Sequence, residues 1–357
     1  MKRKWRTILQ VALVMALFFS LWGWIDETDA AGKKKSAQDV VNEMGAGWNL
    51  GNSLDAYSYS LGYVTPEKTE KLWGNPVITK KLIDTVADAG FRSIRIPVTY
   101  VNHIDSNGKI DKAWLKRIGQ VVKYAFDNDL YVIINVHHDT GNQGWIYADK
   151  TTYKTDLKNF LNIWKQVAAY FKNYDEKLLF EATNEILNTD KNWDWGKSWD
   201  DFRVVHDMNQ QFINTVRKTG GKNKNRFLVL STWGASSDSC QIEQMFYKKF
   251  TDTVDDHLIL SVHNYMSSES SIKKVIASLK SYSKKYDIPI IIDEFGTTAG
   301  VSMNARIQSA KYYVKTAKKA GIACFWWDNG GDYSILDRKT YKWRNQKLVN
   351  ALVNSAK

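Results

Sequence analysis

From residue 46 onward, short runs rich in β-branched and aromatic residues alternate with longer stretches whose apolar positions recur every three or four residues. The short runs are Ala46 to Gly51, Ser93 to Val98, Tyr131 to His138, Leu178 to Glu185, Arg226 to Trp233, Leu258 to Tyr265, Pro289 to Gly296 and Gly321 to Asn329. Their continuous apolar character predicts strands buried on both faces. The longer stretches, Thr79 to Ala89, Lys112 to Asn128, Thr155 to Asn173, Phe202 to Lys218, Ser271 to Tyr286 and Ala305 to Ala320, predict helices with one apolar face. A strand followed by a helix, repeated along the chain, is the order of a parallel (β/α)8 TIM barrel, expected as a single domain over residues 46–357. A doubly wound sheet is the weaker alternative, since neither a Gly-x-Gly-x-x-Gly turn after the first strand nor a P-loop sequence occurs.

The start of the chain follows a different pattern. Lys2, Arg3, Lys4 and Arg6 precede an apolar run from Ile8 to Ile25, and Thr28-Asp29-Ala30 offers small residues for cleavage. Residues 1–30 therefore read as a secretory signal peptide, with the mature chain beginning near Ala31 and an extracellular destination. The competing reading is an uncleaved anchor, because the run approaches the ~18 residues of a membrane span. Residues 31–45 read as an N-terminal extension ahead of the barrel.

Composition narrows the function. Hydrophobic residues make up 44% of the 357-residue chain and charged residues 25%, which permits a large core. The 15 Trp outnumber the 14 Phe. An indole joins an apolar face to a hydrogen-bond donor, so the surplus points to sugar platforms. The formal charge of +12 is spread along the helical stretches without a basic run interleaved with aromatics, and reads as a solvated surface with no nucleic-acid partner. Cys240, placed in a loop, and Cys324, placed in a buried strand, are expected as unpaired thiols. Two cysteines cannot make a zinc site without a His cluster at ligand spacing. No metal or other cofactor is expected, and the protein is expected to be a monomer.

Several strands end in polar or aromatic residues, and in such barrels the carboxyl ends of the strands form one functional rim. Two of these residues are Glu185 and Glu294, each closing an apolar strand. A carboxylate beside a core costs several kcal/mol unless it is paired or hydrogen-bonded. Two carboxyls facing each other across a barrel mouth suit glycoside cleavage, one protonating the leaving oxygen and the other attacking carbon or activating water. His137 and His138 close the third strand. Strand alternation points them to opposite faces, which disfavours a shared metal ion and favours contacts with sugar hydroxyls.

Taken together, Gly47 to Ala56, Ile94 to Val98, Val136-His137-His138-Asp139, Ala182-Thr183-Asn184-Glu185, Val262 to Tyr265, Asp293-Glu294-Phe295-Gly296 and Trp326 to Gly330 resemble glycoside hydrolase family 5, in particular its bacterial endoglucanases. The resemblance spans residues 47–330 and implies a retaining endo-β-1,4-glucanase acting on a β-glucan polysaccharide. Xyloglucanase, licheninase and β-mannanase activities use the same catalytic pair, and a non-catalytic polysaccharide-binding barrel is a remote alternative. It implies Glu185 as general acid/base, with its carboxyl lifted by its surroundings, and Glu294 as nucleophile. Arg95 is implied to hold Glu294, Asn184 to bond the sugar 2-hydroxyl, Tyr265 to donate to Glu294, and His263 to tune Glu185. Asn52 and Asp55 match sugar-binding positions, with capping of the following loop as the other reading. Trp327 matches the floor under the sugar, and Trp326 should point into the core. Trp48, Trp73, Trp145, Trp193, Trp195 and Trp233 fall near the rim, with Trp73 and Trp233 the expected outer platforms.

Overall fold

The computed structural model describes residues 35–191, 193 and 199–357. The expected signal peptide and Trp195 lie outside them. Residues Ser36–Lys357 form one compact unit. Eight parallel strands close a barrel in chain order: β1 (Ala46–Asn49), β2 (Ser93–Ile96), β3 (Tyr131–Asn135), β4 (Leu178–Glu181), β5 (Leu228–Ser236), β6 (Leu258–His263), β7 (Ile290–Phe295) and β8 (Ala323–Trp326). Pairing of Ala46 with Cys324 and of Trp48 with Trp326 closes the ring. A short antiparallel pair, β9 (Leu336–Asp337) and β10 (Lys342–Trp343), follows. The expected TIM barrel is the observed fold.

The helices are α1 (Ala37–Glu43), α2 (Pro66–Lys71), α3 (Lys80–Asp88), α4 (Lys112–Phe126), α5 (Tyr153–Phe171), α6 (Trp199–Lys218), α7 (Ser239–Met245), α8 (Glu269–Tyr286), α9 (Met303–Lys319) and α10 (Gln346–Ser355). The segment read as an extension contributes α1, which starts in a capping box between Ser36 and Asp39. Helices α2 and α7 are too short for the three-four periodicity to register. Cys240 therefore lies in a helix and not in a loop; it is exposed, Cys324 is buried, and both are free thiols. Among the described residues no helix is long and apolar enough to cross a membrane.

Strand alternation sorts the barrel into layers. Val132, Ile134, Phe180, Leu230, Leu260, Ile292 and Trp326 face the helices in the larger core. Their neighbours Ile133, Leu179, Val229, Ile259, Ile291 and Phe325 fill the interior, where α1 adds Val40 and Val41 and its C-cap adds Met44. Gly47 keeps its inward position bare, because a Cβ there would stand 2.2 Å from Phe325 Cδ1. Two residues further along the strands, the inward positions are Asn49, Arg95, Asn135, Glu181, Ser231, Ser261 and Asp293, all fully buried. An apolar plug thus closes one end of the barrel, and a polar layer supports the other.

Candidate active site

Arg95 organises the polar layer. Its guanidinium makes two hydrogen bonds to Glu181, 2.6 Å from Nε and 2.7 Å from Nη2. It also donates to Glu294 Oε1 at 2.6 Å, Asn184 Oδ1 at 2.8 Å and Asn49 Oδ1 at 3.1 Å. Asp293 Oδ2 stands 3.3 Å from Nε. One buried cation thus faces three carboxyls, a balance that holds only while the hydrogen bonds are complete. The carboxylates strengthen the charged guanidinium against burial, and its pKa rises above the ordinary value. Burial, with the Glu181 charge opposing the pull of Arg95, pushes the Asp293 carboxyl up to about 7.

Asp293 points inward, so in a regular β7 its neighbour Glu294 would point away from the axis. The ladder instead slips on both sides of it, between Val262 and His263 on β6 and between Ile292 and Phe295 against β8. His263 pairs with Glu294, and the carboxylate reaches the cleft. Its Oε2 accepts from Tyr265 Oη at 2.7 Å. Glu185, beyond the end of β4, has 29% of its side chain exposed, and its Oε1 lies 2.9 Å from His263 Nδ1. The same Nδ1 lies 3.5 Å from Glu294 Oε2. One polar atom each of Glu185, His263 and Glu294 lie within 4.8 Å of one another. Burial lowers the imidazole of His263, but the Glu294 charge and the Glu185 hydrogen bond outweigh it, and the net is a rise to about 9. Burial raises the Glu185 carboxyl, but the hydrogen bond and charge of His263 outweigh it, and the net shift is downward. The expected lift of Glu185 is therefore corrected: the proton of the pair rests on His263.

Asn135 is the last residue of β3, and although His137 N still donates to Val98 O at 2.8 Å, the chain turns at His138, so strand alternation no longer separates the two rings. Their rings meet edge to face at 4.4 Å, and one ligand atom of each stands within 4.8 Å of a carboxylate oxygen of Asp55. The expectation that they face apart is corrected by the early end of β3. His137 lies parallel to Trp327 at 5.8 Å, and His138 packs on Trp73 at 5.2 Å and Tyr57 at 5.5 Å. Trp73 is 37% exposed, so it does stand at the mouth.

Trp327 owes its place to Gly51, where a Cβ would stand 2.7 Å from its Cη2. Arg338 ties the loops after β1 and β8 together, donating to Gly51 O at 2.8 Å and to Asp328 Oδ1 at 3.1 Å. Trp326 points into the core and donates to Tyr333 O at 3.0 Å.

Other expected contacts fall elsewhere. Asp55 is fully buried, accepting from Asn52 N at 3.0 Å and Ser53 N at 2.7 Å. It caps the turn, and a direct sugar contact is not open to it. Asn52 sits in that turn with φ at 57°, and its carbonyl accepts from Asn75. Trp233 is also a correction: it is 4% exposed and packs edge to face on Phe202, because β5 runs on past it to Ser236 and holds it in the core. Trp48 is buried as well, donating to Asp328 at 3.3 Å, and Trp145 donates to Asp139 at 2.7 Å. Trp193 is 43% exposed. The sequence reading missed Asn49, Asn135, Glu181 and Asp293. Glu181 carried a signal, being a charge inside an apolar strand and four residues, two strand periods, before Glu185.

A family model described as Cellulase (glycosyl hydrolase family 5) matches residues 53–333. The chain is 37% identical over 359 aligned residues to Endoglucanase A of Clostridium longisporum, covering 92% of this chain and 67% of that protein. A solved structure described as a GH5-4 broad specificity endoglucanase from Clostridium longisporum is 34% identical with a TM-score of 0.83, covering 91% of this chain and 99% of the other. A glycoside hydrolase 5 lichenase mutant from Caldicellulosiruptor sp. F32, in complex with cellotetraose, is 34% identical with a TM-score of 0.83, covering 91% and 96%.

Proposed function

Since the chain belongs to glycosyl hydrolase family 5, the cellulase family, we propose that it is a retaining endo-β-1,4-glucanase in which Glu294 attacks the anomeric carbon and Glu185 serves as acid and then base. The carrying observation is the approach of the two carboxylates: oxygens of Glu185 and Glu294 come within 4.8 Å of each other. This supports the carboxyl separation of about 5–5.5 Å suited to direct attack, and not the ~6.5–9.5 Å that admits a water between them. In the first step Glu294 bonds to the anomeric carbon as the bond to the leaving oxygen breaks, and that oxygen takes the pair's proton, passed from His263 through Glu185. In the second, a water gives one of its own protons to Glu185, which restores the protonated pair, and its oxygen displaces Glu294 from the anomeric carbon. Asn184, whose Oδ1 is taken by Arg95, keeps its N–H2 for the sugar 2-hydroxyl, and Trp327 offers a flat face beneath the ring. Two inversions give retention. Proton NMR of the first product from a soluble β-glucan is expected to show the β anomer before mutarotation; an initial α anomer overturns the mechanism.

The relatives named for broad specificity and for lichenase activity support a substrate range reaching beyond cellulose to mixed-linkage β-glucan. The basic and apolar start of the chain supports export, with release from the membrane on cleavage near Ala31.

The His263–Glu185 pair predicts the alkaline limit. A raised imidazole pKa means that the pair keeps its proton through neutral pH and loses it as pH rises through about 9. The proton then no longer reaches the leaving group, and kcat/KM is expected to fall there. His263→Asn leaves Glu185 alone to hold the proton and should move the alkaline limb of the pH profile down by at least about one unit. An unmoved limb shows that the pair does not supply it.

A further inference from the structure

What His137 offers the cleft depends on which ring nitrogen carries its proton. Two residues before it, on the inward face of β3, stands Asn135, fully buried. The Asn135 amide cannot turn over. Its Oδ1 accepts from the backbone N–H of Val98 at 3.1 Å, a group that can only donate. Its Nδ2 donates at 3.1 Å to Glu181 Oε1, a carboxylate oxygen that also accepts from Arg95. The second hydrogen of Nδ2 faces His137 Nδ1 at 3.1 Å. An amide nitrogen has no lone pair to give, so Nδ1 is the acceptor. Burial first, and then the nearby His138, Arg95 and His263, hold the His137 pKa well below its ordinary value and keep the ring neutral. A neutral ring whose Nδ1 accepts carries its proton on Nε2.

We propose that Asn135 is a positioning residue that locks His137 in the Nε2–H tautomer, so that this part of the cleft presents a hydrogen-bond donor to a hydroxyl oxygen of the sugar. The functional half of this inference rests on the reading of His137 as a sugar contact; the tautomer does not. The lock also bears on the Asp55, His137 and His138 grouping, which has donor types fit for a transition metal. A ligating imidazole needs a bare nitrogen toward the ion and usually donates from the other to a carbonyl or carboxylate. Asn135 imposes the reverse. Among the described residues Nε2 makes no hydrogen bond within the protein, and His137, 1% exposed, lies parallel to the half-buried Trp327 at 5.8 Å, so a sugar seated on that indole brings its hydroxyls to the ring. A hydroxyl that accepts from His137 keeps its own proton for another acceptor, which sets the rotation of the ring over Trp327.

The test is long-range nitrogen–proton NMR of the histidine-labelled protein, with His137 assigned by the signals lost in His137→Gln. The expected spectrum has Nε2 protonated and Nδ1 bare; protonation at Nδ1 overturns the lock. Asn135→Asp keeps an acceptor for Val98 N–H but sets an oxygen against His137 Nδ1, so the proton should move to Nδ1. The KM for a soluble β-glucan should then rise about tenfold, with kcat changed much less, as befits a lost binding contact. A moved proton with an unmoved KM overturns the sugar contact at His137 while leaving the tautomer lock standing. If Asn135→Asp fails to fold, the spectrum of the unaltered protein still decides the tautomer.

Discussion

Glu294→Ala is expected to lose at least about 10⁴-fold in kcat on any β-glucan, because among the described residues no other carboxylate is placed to attack. Asp293 is adjacent in sequence but is turned into the barrel, where its Oδ1 accepts from Ser261 at 2.6 Å and Arg95 lies beside it. Glu181 is held below by Arg95 with no exposed surface. The substitution leaves the Arg95–Glu181 and His263–Glu185 contacts in place, so the fold should survive the loss. The small space opened by the shortened side chain gives a sharper test. Azide entering it attacks the anomeric carbon of an activated aryl glycoside in a single displacement, and the aryl oxygen departs with the bonding electron pair. One inversion from a β substrate gives the α-glycosyl azide, identified by NMR of the isolated product. A β-glycosyl azide, or activity within about tenfold of the unaltered enzyme, removes Glu294 from the nucleophile role.

The second large effect depends on the leaving group. Among the described residues, Glu185→Ala takes away the one proton carrier in the cleft that has both partial exposure and a hydrogen bond to protonated His263. An aryl oxygen of low basicity leaves as an anion without help, whereas a sugar alkoxide does not. The loss in kcat/KM on β-glucan should therefore exceed that on an activated aryl glycoside by roughly 10²–10⁴-fold. Breakdown of the glycosyl-enzyme then becomes slow, since water lacks its base. Azide needs none and should speed turnover to give the β-glycosyl azide, two displacements having occurred. Equal losses on the two substrates exclude Glu185 as the acid. The opposite anomers from the two variants would assign both carboxylates by product analysis alone.

The eight strands and six of the helices were legible in the sequence because a buried parallel strand and an amphipathic helix each write a repeating pattern of side chains. The same rule failed where the pattern stops. His137 and His138 were placed on opposite faces by alternation, but β3 ends at Asn135 and their rings meet. Glu294 reaches the cleft through two register shifts that no periodicity encodes. Trp233 and Trp73 look alike in a list of indoles, and only the length of β5 separates a core residue from one at the mouth. The direction of the Glu185 shift was out of reach for another reason. Its sign depends on the 2.9 Å contact with His263, set by residues 78 positions apart, while local sequence shows only the apolar run that would raise it. The layer beneath the site was missed because a resemblance to known motifs draws the eye to the residues beyond the strands, whereas Asn135 and Glu181 are the last residues of β3 and β4 and Asp293 lies two before the end of β7.

Arg95 has a consequence for how the chain reaches its native state. Its partners lie at sequence separations of 46, 86, 89 and 199 residues. During synthesis from the N-terminus, β2 emerges long before β7, and the ring cannot close until β8 has paired with β1. A partly made barrel therefore holds an arginine on its inner face that lacks Glu294, together with open strand edges, and solvent must keep that cation hydrated until the last strands arrive. Such distant partners place the expulsion of water from the centre late in folding. The same guanidinium that joins four strands of the finished barrel opposes early collapse of the nascent one.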